Sequence, residues 1–69
     1  MEQITGRKER FIKIDEVERQ TALSEATIYR KMKNKEFPES VSIGANSKVW
    51  LESEVQGWIA EQVQKYRNQ

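Results

Sequence analysis

Ala26, Arg30 and Lys33 recur at intervals of three and four residues, which places them on one face of a helix. At about 100° per residue, Ile28 and Met32 fall on the opposite face, with Leu23 completing an apolar stripe. Thr27, Tyr29 and Asn34 flank the polar side. Four Lys/Arg lie between Arg30 and Lys35 with no acid among them. A buried stripe backed by small, hydroxylic and basic residues suits a helix laid in the major groove of DNA. The competing account is plainer: basic residues near a helix C-terminus also complement its dipole and can serve as a solvated face. Ser24 is a good N-cap, since its hydroxyl can accept an orphan backbone N–H. The spacing therefore predicts a helix over about 24–35, the second of a helix-turn-helix.

Little other chemistry is open to this chain. Its 69 residues make one domain with a small core, and it has no cysteine and no histidine. Thiol chemistry and disulfides are excluded, and only carboxylates remain as strong metal ligands. Eleven Asp/Glu are scattered without a motif-like pair, and no glycine loop is built to cradle phosphates. We expect no enzyme and no cofactor. No apolar run approaches the roughly 20 residues of a membrane span, and the N-terminus lacks a signal-like apolar region. The expected location is cytoplasmic, on the nucleoid when bound to DNA. Net charge is only +1, but its distribution is uneven. Residues 1–35 carry nine Lys/Arg against six Asp/Glu, and residues 36–69 carry three against five. The N-terminal half is the one to face an anionic partner.

The remaining elements must position the helix. Residues 1–10 are polar and charged and read as a flexible arm, with Arg7, Lys8 and Arg10 within reach of a DNA backbone. Residues 11–69 form the folded domain. Phe11 to Ile14 runs extended and anchors into the core. Asp15 to Gln20 reads as a short helix with acids in its first turn, and Val17 points inward. Thr21-Ala22 breaks it before Leu23, giving helix, tight turn, helix. Pro38 ends the second helix region, and Phe37 plugs the core beneath the turn. Val41-Ser42-Ile43 and Lys48-Val49-Trp50-Leu51 flank a turn cluster, Gly44 to Ser47, and predict a β-hairpin wing. Such a hairpin is barely stable alone, so it must lean on the helices, through Ile43 and Trp50. Ser53 with Gln56 resembles a capping box for a last helix. Val55, Trp58, Ile59, Gln62, Val63 and Tyr66 give that helix one apolar face. It closes the monomer core or, less simply, forms a seam with a partner. Gly57 within it suggests close packing against another element.

Several of these pieces, in this order and spacing, resemble the AlpA family of small prophage regulators. They are Ile12-Lys13-Ile14-Asp15-Glu16-Val17, Thr21-Ala22-Leu23-Ser24, Thr27-Ile28-Tyr29-Arg30, Glu36-Phe37-Pro38, Ile43-Gly44, and the run from Trp50-Leu51-Glu52 through Gly57-Trp58-Ile59. The likeness covers about residues 11–61. It implies a winged helix-turn-helix related to the MerR-type DNA-binding domain and to phage excisionases, mainly α with a small β-hairpin. It also implies a double-stranded DNA partner, with self-association on DNA or a phage integrase as further partners. Members act as transcriptional regulators or as directionality factors that promote excision. By resemblance, Ser24 and Thr27 match phosphate-touching positions, and Glu25, Ala26 and Arg30 match positions that reach base edges.

Four positions depart from the family pattern. Ala22 stands where the turn usually has Gly, and the second helix lacks the usual Gly near Lys35. Glu25 replaces a frequent Arg, and Asn46 a common Arg in the wing, where Lys48 is the substitute. The expected assignments are base reading by Arg30, Ala26 and Glu25, with Lys33 and Asn34 at the groove edge. Backbone contacts fall to Ser24, Thr27, Tyr29 and Lys31, with Ser47 and Lys48 on the wing. Two other functions remain: an architectural, excisionase-like factor acting beside an integrase, and a protein-interaction module whose basic face is merely solvated.

Overall fold

The computed structural model describes residues 9–67. The order of elements is β1 (Phe11–Ile12), α1 (Ile14–Thr21), α2 (Glu25–Lys33), β2 (Val41–Gly44), β3 (Ser47–Leu51) and α3 (Glu52–Arg67). The strands form one antiparallel sheet in the order β1-β3-β2. This is a winged helix-turn-helix, as the sequence predicts. The hairpin is not alone, however. Phe11 and Ile12 pair with Leu51 and Trp50, so the wing gains a third strand from the start of the domain.

The core is built from Ile12, Val17, Ile28, Trp50 and Val55, one from every element but β2, with Phe37 from the segment after α2. Ile14, Leu23, Met32, Trp58 and Ile59 close around it. Trp50 is completely buried, and its indole N–H finds the Pro38 carbonyl at 3.1 Å, as a buried indole must. Phe37 plugs the core as expected and meets Trp58 edge to face, with ring centroids 4.8 Å apart. The Trp58 indole N–H donates to the Glu36 carbonyl at 2.8 Å. Two indole donors thus staple the 36–38 segment to β3 and to α3.

The turn between α1 and α2 follows from local chemistry. The Thr21 hydroxyl donates to the Val17 carbonyl at 2.7 Å and accepts the Leu23 N–H at 3.2 Å. Ala22 takes the left-handed conformation, φ 64°, and its N–H reaches the Glu18 carbonyl. That region disfavours any residue with a Cβ, so the missing glycine is met by strain. The same holds at the end of α2, where Lys35 has φ 63°. There the Lys35 N–H bonds the Met32 carbonyl and the Glu36 N–H bonds the Lys31 carbonyl. This is a Schellman closure around a lysine. The helix proper stops at Lys33, two residues short of the predicted end, and Asn34 caps it.

Three expectations are corrected. Ile43 does not pack on the helices: it is 52% exposed, while Val49 is 2% exposed. β3 is the central strand, paired along both edges, and two of its adjacent residues, Val49 and Trp50, are buried. β2 is an edge strand, and all four of its residues are exposed. Ser53 and Gln56 form no capping box. The Ser53 hydroxyl donates to the Glu9 carboxylate at 2.8 Å, and the Gln56 amide donates to Gln20 Oε1 at 2.7 Å. α3 starts directly from β3 with Glu52, whose N–H bonds the Arg10 carbonyl. Gly57 makes no close approach, since a Cβ there would meet open space.

Only the first half of the apolar face of α3 closes the core. Val55 is buried and Trp58 and Ile59 are half-buried, but Val63 and Tyr66 are exposed. Of the three basic residues assigned to the N-terminal arm, Arg7 and Lys8 lie outside the described residues. The Arg10 guanidinium sits 3.4 Å from the Glu52 carboxylate.

Candidate nucleic-acid interface

α2 is held at both ends and along one side. Ser24 caps it, accepting the Thr27 N–H at 3.2 Å, and the Schellman closure ends it. Ile28 is fully buried, and Met32 packs on the core from the next turn. What is left facing solvent is one continuous surface. Glu25, Ala26, Tyr29, Arg30, Lys33 and Asn34 are all exposed. Among the described residues, Arg30 and Lys33 have no ion-pair partner; Lys35 has one in Glu39, at 3.4 Å.

The two hydroxyls at the start of α2 are tied together. The Ser24 hydroxyl donates to Thr27 Oγ1 at 3.0 Å while its oxygen caps the helix. The two hydroxyls share one hydrogen bond, so one of their two protons remains for an outside acceptor.

The wing stands beside this helix. Tyr29 packs its ring edge-on against Trp50, with centroids 6.1 Å apart. Lys48 lies two residues before Trp50 on β3, and alternation along a strand puts both on the side facing the helices. The result is a shallow depression between α2 and the wing tip, lined by Lys13, Tyr29, Asn46, Ser47 and Lys48 among others. The structure thus brings together Tyr29 with Ser47 and Lys48, which sit on different elements far apart in sequence. It sets Lys31 apart from them. Lys31 is half-buried and lines the grooves against α3, beside Trp58, Gln62 and Tyr66. Lys13 is a neighbour that sequence reasoning missed. Its only signal is tertiary: β1 pairs Ile12 with Trp50, so the next residue emerges alongside the wing.

Among the described residues no cluster of His, Cys, Asp or Glu could hold a metal ion, and no helix is long and apolar enough to cross a membrane.

Comparison with known proteins agrees with the architecture. Residues 10–63 match the family described as Prophage CP4-57 regulatory protein (AlpA). The uncharacterized protein ORF88 of Enterobacteria phage P4 is 41% identical over 56 residues, spanning 81% of this chain but only 64% of that protein. No solved structure matches the chain. The chain belongs to the AlpA family of prophage regulatory proteins.

Proposed function

We propose that this member of the AlpA family binds duplex DNA in a sequence-specific manner, with α2 in the major groove and the wing on the adjoining backbone. One observation carries the reading. The exposed face of α2 is rigidly mounted, presents Arg30 and Lys33 without ion-pair partners among the described residues, and adjoins a wing tip bearing Lys48. Such a surface suits phosphates and base edges.

Arg30 reads a guanine through O6 and N7. Ala26 lets the helix approach the base edges, and Glu25 accepts from a cytosine amino group. Lys33 and Asn34 work at the groove edge. Tyr29 and Thr27 hold phosphates, Ser24 fixes the helix start, and Ser47 and Lys48 anchor the wing. Lys31 contributes through its charge from the α3 side. The protein acts in the cytoplasm, on the nucleoid.

Selection of bound duplexes from a random pool, at two salt concentrations, tests this. A short enriched motif is the expected result. The spacing of motifs then separates a regulator on an operator from a directionality factor arrayed in tandem beside an integrase. Failure to enrich any sequence, with binding lost at moderate salt, would contradict the reading and leave the interaction-module account in its place.

A further inference from the structure

The depression between α2 and the wing has a composition that groove reading by α2 does not account for. Lys13 and Lys48 both line it, from the end of β1 and the start of β3, with the Tyr29 ring between α2 and the wing. Asn46 and Ser47 add uncharged donors from the turn. None of the described lining residues is acidic; Asp15, two residues beyond Lys13, is not among them. Lys13 and Lys48 are exposed, and neither has an ion-pair partner among the described residues. Two ammonium groups, a phenol and turn donors around one concavity make a seat for a singly charged oxyanion with several acceptor oxygens.

We infer that this concavity seats a phosphodiester of the DNA strand bordering the groove that α2 enters, and that Lys13 is a backbone-contact residue of the interface. The inference rests on the DNA-binding reading above. A phosphate held there is gripped from α2, the wing and the β1–α1 junction together. It therefore fixes how deep α2 sits without reading any base. One wall of the concavity is braced, because Tyr29 leans on the buried Trp50, two residues along β3 from Lys48.

The test is the salt dependence of binding to a motif selected with the unaltered chain. Each neutralised phosphate contributes about 0.9 to the slope of log affinity against log salt. Lys13→Ala is expected to make the slope shallower by about that much, to weaken all sequences alike, and to leave the selected motif unchanged. Lys13→Arg should restore the slope. Lys65→Ala, on the far end of α3, serves as the control and should leave it unaltered. An unchanged slope in Lys13→Ala would overturn the inference while leaving the role of α2 intact. A changed base preference in that variant would overturn it too. Absence of duplex binding by the unaltered chain would instead overturn the reading of α2, and this inference with it.

Discussion

α2 and α3 share the same three-four apolar spacing and are used in opposite ways. α2 is nine residues long, capped at both ends, and buries Ile28 completely. Its solvent face is polar and basic. α3 is sixteen residues long, buries only Val55 fully, and carries its last turns past the core with Val63 and Tyr66 exposed. Periodicity alone treats the two as equals. The difference lies in what each helix is packed against. α2 sits between α1 and the indole of Trp50, so its orientation is set within the fold and its side chains are presented at fixed positions. α3 is anchored by its first two turns, and its tail leaves the apolar side chains Val63 and Tyr66 in solvent.

Four substitutions sharpen or break that contrast. Trp50→Ala has the largest expected effect. It removes the plug shared by β3, α2 and the 36–38 segment and should cost about 3–5 kcal/mol. Thermal or urea unfolding would show it, and a loss below about 1 kcal/mol would mean that α2 is not mounted on this residue. Arg30→Ala comes next. Discrimination between the selected motif and a scrambled one should fall by about 1–3 kcal/mol, with unfolding unchanged; binding equal to that of the unaltered chain on both sequences would remove Arg30 from base reading. Ala22→Gly should raise stability. Relief of a left-handed Cβ is worth about 1–2 kcal/mol, offset by the added freedom of glycine in the unfolded chain, about 0.5–1 kcal/mol. The net expectation is a gain of about 0.75 kcal/mol in the free energy of unfolding, between limits of about 0 and about 1.5 kcal/mol. Tyr66→Ala has the smallest. At 63% exposure it should shift stability by no more than about 0.5 kcal/mol and leave DNA affinity alone. A large loss there would show that the tail of α3 does structural or interface work after all.

The helices, the turn and the hairpin are legible in the sequence because each has a local signature. Ser24 caps where its type says it should, and Ala22 and Lys35 show strain where glycine is absent. Two of the errors have one origin: they concern residues whose surroundings are set by segments distant in the chain, whereas Gly57 simply faces open space. Ile43 and Val49 alternate as a hairpin should, yet which of them is covered depends on what packs around the sheet, and the third strand, two residues of β1, comes from far away in the chain. Ser53 and Gln56 have capping-box spacing, but Glu9 and Gln20 offer them bonds across the fold. On the candidate interface, the face bearing Ala26, Arg30 and Lys33 follows from helical geometry alone. Lys13 does not, since nothing near it in sequence marks it as a neighbour of the wing. Lys31, adjacent to Arg30 in sequence, turns toward α3 because one residue is about 100° of helix.

The most direct test of this division is amide chemical-shift mapping of the isotope-labelled protein titrated with a duplex carrying its selected motif. The account predicts that shifts concentrate at Ala26, Arg30 and Lys33 on α2 and at Ser47 and Lys48 on the wing, with Val63 and Tyr66 silent. Shifts concentrated on the tail of α3, with α2 unmoved, would contradict it.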